Sequence, residues 1–367
     1  MTLLFVTRIV DRNDTRSGFI FDWIETLSEK TEHLYVICQE LGEHKGLPDN
    51  VVVESMGKER GEDRIGQLAR YMRLLVLWTP RSQGVLIHMH PVYAIVAWLP
   101  SRLFGKRLGL WYTHRAVSRR LKLAHRLVDI VFTASPESFR LRSTKIRIMG
   151  HGINMERFSR TIYPERSDNL FRIVSVGRIS PSKDYETLIK AAELLHHEFR
   201  ITNHGNGSES KIRNSKFEIH IYGDPALPSD EAYLESLLTF VGEAGLEESI
   251  SFHPGVPYSE VPRLYADADL VVNLSRTGSI DKTVLEAAAS KSLVLTSNEA
   301  FYRPLLQISP LLIADNNEPK ELATKIRALS ELSPADRDVL INKLYGWVTS
   351  EHDIKQLAQR IIQEFSI

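Results

Sequence analysis

The sequence predicts an α/β protein made of two doubly wound parallel sheets. Three observations lead there. Short apolar runs of strand length alternate with amphipathic helical stretches from end to end, the rhythm of strands joined by crossover helices. The 367 residues exceed what one hydrophobic core usually organises, so two domains are expected. A polar stretch without periodicity, Ser159 to Asn169, interrupts the alternation near the middle.

In the first half the strand candidates are Leu3–Thr7, Leu34–Cys38, Val51–Glu54, Gly84–His88, Leu108–Tyr112, Ile130–Thr133 and Ile146–Met149. Helical patterns lie between them, among them Phe19–Ser28, Ile65–Trp78, Val92–Phe104 and Val117–Leu127. In the second half the strands are Arg172–Val176, Glu218–Tyr222, Ile250–Phe252, Leu270–Leu274, Leu293–Thr296 and Leu311–Ile313. Arg200 to Lys216 is rich in Gly, Asn and Ser and reads as a surface loop. The expected domains are residues 1–155 and 165–345. A C-terminal amphipathic helix within 350–367 could pack on either, and is given to the first.

Composition bounds the setting. The single cysteine, Cys38, excludes an intramolecular disulfide and fits a reducing compartment. Met1 runs directly into the first strand, so no signal peptide is expected, and no apolar run reaches membrane-spanning length. The net charge of zero hides an asymmetry: residues 1–160 hold 25 Lys and Arg against 16 Asp and Glu, and the remainder carries the opposite excess. A positive first half suggests an anionic partner there, although a solvated basic face alone would look the same.

Two segments carry the chemistry. Gly177-Arg178 to Lys183 lies in the turn between an apolar strand and an amphipathic helix. A guanidinium, an ammonium and free backbone N–H groups at a helix start make a diphosphate site. The second segment is Ser275-Arg276-Thr277-Gly278-Ser279-Ile280-Asp281-Lys282-Thr283-Val284-Leu285-Glu286. Its Gly/Ser turn lets backbone approach a ligand, the helix opening near Lys282 offers N–H groups, and Glu286 can accept hydrogen bonds from a ribose diol. Together they read as a nucleotide site at the C-terminal ends of parallel strands.

On these residues the second half resembles the donor domain of GT-B retaining glycosyltransferases of family 4 (glycosyltransferase group 1). The resemblance extends over Ile221-Tyr-Gly223, Ile250 to Val256, Val261 to Val272 and Val284-Leu-Glu286-Ala, in order and spacing across roughly 170–300. The first half resembles the acceptor domain more loosely, through Gly18, Trp111-Tyr-Thr-His114 and Gly150-His-Gly-Ile-Asn154. The resemblance implies two Rossmann-like domains facing a cleft. It implies that Arg178 and Lys183 neutralise the diphosphate leaving group and that Glu286 holds the ribose. It implies that the loop with His253, Gly255 and Val256 receives the nucleobase, that Gly18 brings the first loop near donor or acceptor, and that His114 lies beside the reaction centre. Gly278, Ser279, Asp281, Lys282, Thr283 and Val284 then border the donor. The family commonly has Glu-x7-Glu, and Gly278 stands where its first glutamate reads the donor sugar. Asp281 is the available substitute.

Three smaller readings complete the picture. His88 and His90, two apart on a strand, would share a face, but no carboxylate or cysteine cluster accompanies them and no metal is expected. Arg115, Arg119, Lys122 and Arg126 follow an i, i+4, i+7, i+11 series on one helical face, which fits docking on an anionic membrane carrying a lipid-linked acceptor. No nucleic-acid motif accompanies that charge.

The function expected is transfer of a sugar from a nucleotide-diphosphate sugar to a glycan or lipid-linked acceptor, with retention, without metal or cofactor, in the cytoplasm or on the inner face of its membrane. The alternatives are a nucleotide-sugar epimerase and a non-catalytic sugar-nucleotide binder whose donor reading has decayed at Gly278. A dehydrogenase is disfavoured, since no Gly-x-Gly-x-x-Gly follows the first strand of either half.

Overall fold

The computed structural model describes residues 1–159, 170–202, 217–315 and 318–366. The chain divides into two compact units: Met1–Asn154 with Pro257–Ser259 and Glu351–Ile367, and Met155–Val256 with Glu260–Ser350.

The first unit runs β1 (Thr2–Val10), α1 (Ile20–Ser28), β2 (His33–Leu41), β3 (Val51–Ser55), α2 (Arg64–Trp78), β4 (Gly84–His88), α3 (Pro91–Leu103), β5 (Arg107–Trp111), α4 (Arg119–Leu127), β6 (Ile130–Thr133) and β7 (Ile146–Ile148). All seven strands are parallel, in the order β3-β2-β1-β4-β5-β6-β7. Their near-continuous apolar runs follow from burial on both faces: Leu3, Leu4, Phe5 and Val6 in β1 are all fully buried.

The second unit runs α5 (Met155–Ser159), β8 (Phe171–Val176), α6 (Tyr185–Thr202), β9 (Phe217–Tyr222), α7 (Pro228–Glu243), β10 (Ile250–His253), α8 (Val261–Ala266), β11 (Leu270–Asn273), α9 (Lys282–Ala289), β12 (Leu293–Thr296), α10 (Tyr302–Ile308), α11 (Pro319–Ser330) and α12 (Pro334–His352). Its five parallel strands are ordered β10-β9-β8-β11-β12. The last helix, α13 (Ile354–Phe365), packs against α1 of the first unit. Glycines admit it: a Cβ at Gly84 would stand 2.3 Å, and one at Gly109 2.8 Å, from the Phe365 ring.

Three sequence expectations need correction. Leu311–Ile313 is not a strand. Pro310 starts a 3-10 turn over Pro310–Leu312, capped by the Ser309 side chain, and Ile313 makes only an isolated bridge to Thr296. The helix expected from Val117 starts at Arg119, because Ser118 is its N-cap and accepts a hydrogen bond from Leu121 N at 3.1 Å. Arg115 therefore lies outside the helix, and only Arg119, Lys122 and Arg126 keep the shared face. The loop expected from Arg200 begins no earlier than 203, since α6 continues through Thr202; residues 203–216 lie outside the described residues, as does most of the polar break, 160–169.

Residues 150–154 and 351–354 clasp within the first unit. Ile153 N donates to the His352 carbonyl (2.8 Å), Ile354 N to the Ile153 carbonyl (3.0 Å), and His151 N to His352 Nδ1 (2.9 Å). Burial, then the nearby Arg360 charge, holds His352 down at about 4, and its accepting Nδ1 requires the neutral ring. Burial and the Arg8 charge do the same to His90. Both rings stay neutral in the fold but protonate near the ordinary 6.5 when unfolded. Their stabilisation is complete above that value and is lost as pH falls toward 4, by about 1.4 kcal/mol per pH unit for each ring. We expect His352→Gln, which keeps an acceptor, to reduce the slope of urea-unfolding stability between pH 6.5 and 4 by up to about 1.4 kcal/mol per pH unit. An unchanged pH slope in the variant would remove His352 from this role.

Candidate donor site

The segments expected to form a nucleotide site meet at the C-terminal ends of β8, β9, β10 and β11. Parallel strands open all their strand-to-helix turns at this edge. The turns are laced by backbone. Gly177 N donates to the Tyr222 carbonyl (3.0 Å), Gly223 N to the His253 carbonyl (3.0 Å) and Ile179 N to the Asp224 carbonyl (3.1 Å). Gly223 is required here: a Cβ would stand 1.8 Å from the Gly177 carbonyl oxygen, and its φ of 159° brings the two turns into direct contact.

Lys183 ends a 3-10 turn, Pro181–Lys183. Its ammonium is largely buried and donates to Asp281 Oδ2. Asp281 is the N-cap of α9: its carboxylate accepts from Thr283 N (3.4 Å), Thr283 Oγ1 (3.1 Å) and Asn273 Nδ2 (3.2 Å). Burial opposes ionisation of Asp281, but the Lys183 ammonium and these hydrogen bonds outweigh it and hold the carboxyl below its ordinary value. Arg178 differs. It is exposed, and among the described residues its guanidinium has no ion-pair partner. One expected phosphate cation is thus uncommitted, while the other is already neutralised.

A second pair joins the same two turns. Arg276 Nη2 meets the buried Asp184 Oδ2 at 2.6 Å, and Arg276 N donates to the Ser182 carbonyl (2.9 Å). Asp184 takes a left-handed φ of 52° at the end of the Lys183 turn. Gly278 has a φ of 62°, which a glutamate there would adopt only with strain. The missing Glu-x7-Glu carboxylate therefore goes with a backbone suited to glycine, and Asp281, its candidate substitute, serves as helix cap and partner of Lys183.

Glu286 sits in α9 and is buried, 4% exposed, among Val284, Leu285 and Ala287. The neighbouring Tyr265 phenol is pushed well above its ordinary value by burial, then by the Glu286 and Asp281 charges, so both carboxylates act on one buried hydroxyl. Ser279 is buried, its carbonyl accepting from Asn298 Nδ2 (2.8 Å); Lys282 and Thr283 open α9, with Thr283 N already engaged by its cap. The His253 ring stacks on Tyr222 (4.5 Å between centroids) and bonds His220 at 3.0 Å, and burial and His220 together depress its basicity. Gly255 N donates to Asp224 Oδ1 (3.1 Å), and Val256 is half-buried beyond it.

Gly18 and His114 belong to the first unit. Gly18 closes the turn after β1: its N donates to the Asp14 carbonyl, and a Cβ would stand 2.8 Å from that oxygen. His114 is exposed beyond β5, with Nδ1 accepting from Ala116 N (3.1 Å). The expected shared face of His88 and His90 is not formed. β4 ends at His88, which packs on Phe5 and Trp23, and Met89 with φ 65° turns the chain before His90. Among the described residues no cluster of metal-ligating side chains is present. Sequence reading gave no role to Asn273, Asp184, Arg276 or Tyr265. Asn273 did leave a signal, as the one polar residue in the apolar run Leu270 to Leu274.

Residues 163–345 match the family described as glycosyl transferases group 1. Among curated proteins, the chain is 24% identical over 243 residues to a D-inositol 3-phosphate glycosyltransferase of Frankia alni, covering 63% of this chain and 54% of that one. It is 23% identical over 215 residues to the mannosylfructose-phosphate synthase of Agrobacterium fabrum, covering 54% and 44%. The chain thus spans about half the length of these curated relatives. Among solved structures, Anabaena HepE in complex with UDP and glucose superposes with a TM-score of 0.72 over 99% of both chains at 15% identity, a likeness of fold. Through residues 163–345, and on a GT-B fold of two parallel sheets, the chain belongs to the group 1 glycosyltransferases.

Proposed function

We propose that the chain transfers a sugar from a nucleotide-diphosphate sugar to a glycan or lipid-linked acceptor, with retention and without a metal ion. The observation that carries this reading is the convergence of Arg178, Lys183 and the start of α9 on one sheet edge, within the segment that matches the family. Negative charge grows on the departing diphosphate as the glycosidic bond breaks. Fixed cations that bind it more strongly then than before lower the barrier. Arg178, exposed and uncommitted, reaches the phosphates first. Lys183 meets them from its buried pair, where Asp281 sets its direction. Glu286 holds the ribose, and the turn His253–Val256 faces the base. The transferase relatives favour this over epimerisation. HepE was solved with UDP and glucose, which makes UDP-glucose the first donor to test.

The founding experiment is a thermal-shift panel of nucleotide sugars, followed by product detection with added acceptors. A stabilising donor that is consumed only when acceptor is present supports transfer. A donor bound tightly but never turned over supports the non-catalytic binder instead.

Arg178→Ala should lower turnover by about 100-fold or more, with unchanged thermal stability. Turnover within a few-fold of the parent would remove Arg178 from the phosphate site. Lys183→Ala should also lose stability, by about 3–5 kcal/mol, because it strands the buried Asp281 carboxylate. Lys183→Met combined with Asp281→Asn should regain much of that stability while turnover stays low. If turnover returns with stability, Lys183 is structural only.

Glu286→Gln keeps the shape and removes the charge that makes a strong acceptor for hydroxyls. Calorimetry should show weaker binding of free nucleoside diphosphate to the folded variant. Equal affinity in parent and variant would place the ribose elsewhere.

A further inference from the structure

Between Asp63 and Asp129 the chain holds twelve Lys and Arg and no Asp or Glu. That stretch supplies α2, α3 and α4, and topology gathers all three into one layer. The connections β3-α2-β4, β4-α3-β5 and β5-α4-β6 step the same way across the sheet. Right-handed crossovers between parallel strands then put their helices on one side. α2 packs on α3, and α3 on α4. The connection through α1 steps the other way, so α1 lies on the opposite face, where α13 covers it.

The outer surface of this layer is apolar as well as basic. Ten of the sixteen large apolar side chains exposed among the described residues lie between Asp63 and Asp129. Isolated exposed leucines need no explanation, but a concentration on one layer does. Ile65, in the first turn of α2, is 77% exposed, and Leu103 closes α3 at 73%. Around the end of α3, Leu99, Leu103 and Phe104 flank Arg102. Arg102 Nη2 reaches Asp129 Oδ1 at 3.1 Å, which sets the end of α3 beside the end of α4. There Leu123 stands exposed among Arg119, Lys122 and Arg126.

The chemistry selects the partner. Nucleic acid is met by cations together with aromatic platforms for bases, and aliphatic tips contribute nothing to a phosphate backbone. An acidic protein surface would answer the cations and leave the leucines unanswered. An anionic lipid surface answers both, with phosphates at headgroup level and hydrocarbon a few ångströms deeper. No described helix is long and apolar enough to cross a membrane, so these groups can engage only one leaflet. We propose that the outer face of α2, α3 and α4 seats this protein on an anionic bilayer. The cations lie on the headgroups, and Leu99, Leu103 and Phe104 enter the acyl boundary. The inference deepens the reading above by placing a lipid-linked acceptor's surface on this layer; its physical basis is the surface of the first unit alone.

The test is co-sedimentation of the full chain with phosphatidylcholine vesicles and with vesicles that also contain phosphatidylglycerol, at low and high salt. The parent should favour the anionic vesicles, less so at high salt. Arg119→Gln, Lys122→Gln and Arg126→Gln combined should cut low-salt partitioning by roughly 100-fold. Leu103→Gln with Phe104→Gln should instead reduce the binding that survives high salt, by about tenfold. Both variants should melt cooperatively near the parent's temperature, which shows that they fold, and any nucleotide-induced shift should match the parent's. A parent that ignores vesicle charge, or variants that sediment like the parent, overturns the proposal. So does a dimer in sedimentation velocity that Leu103→Gln dissolves, or an oligonucleotide bound more tightly than the vesicles. A parent that binds vesicles but shifts with no nucleotide sugar sinks the donor reading and leaves this one standing.

Discussion

The buried ion pair between Lys183 and Asp281 is the constraint around which the second unit's site is arranged. The two residues are 98 positions apart in sequence, one in the turn after β8 and the other capping α9. Breaking a buried pair by removing one partner is costly, so the two turns are held together by more than shape. Asn273, at the end of the strand between them, donates to Asp281 and to Thr283 Oγ1 (2.7 Å) and ties the pair to the sheet. Arg276 and Asp184 repeat the link between the same two turns with a second set of charges. A cation in such a frame is pre-directed, and little ordering remains to be done when an anion arrives.

Pre-direction has an electrostatic consequence. A neutralised ammonium attracts phosphate less from a distance than a free one. On the proposed function, the initial capture falls to the exposed Arg178, and Lys183 contributes at contact. The first unit shows the opposite design: its α2, α3 and α4 carry cations with no carboxylate among them, a broad field rather than an oriented group. One half of the chain concentrates charge into a defined geometry, while the other spreads it over a surface.

The sequence by itself determined the class of fold and the positions of most strands, because a strand buried on both faces must be apolar along its length and bounded by turns. It failed at Leu311–Ile313, where an apolar run is equally compatible with a tight turn and Pro310 decides for the turn. It also placed Arg115 on a helix that Ser118 starts too late to include. Periodicity locates a helix; the cap sets its boundary.

For the site, residue types and spacing were enough to nominate Arg178, Lys183 and Glu286, since charge beside a helix start has few other uses after a buried strand. Only the tertiary structure decided how they are held. Among the described residues Lys183 is paired and Arg178 is not, Glu286 is buried, and Asp281 is a cap and ion-pair partner. The same holds for the layer of α2, α3 and α4. Its missing carboxylates are visible in the chain, but the handedness of crossovers and the strand order set those helices side by side. Local pattern records what each segment can bury. Which distant charges become neighbours is settled by packing, which couples residues that sequence separates.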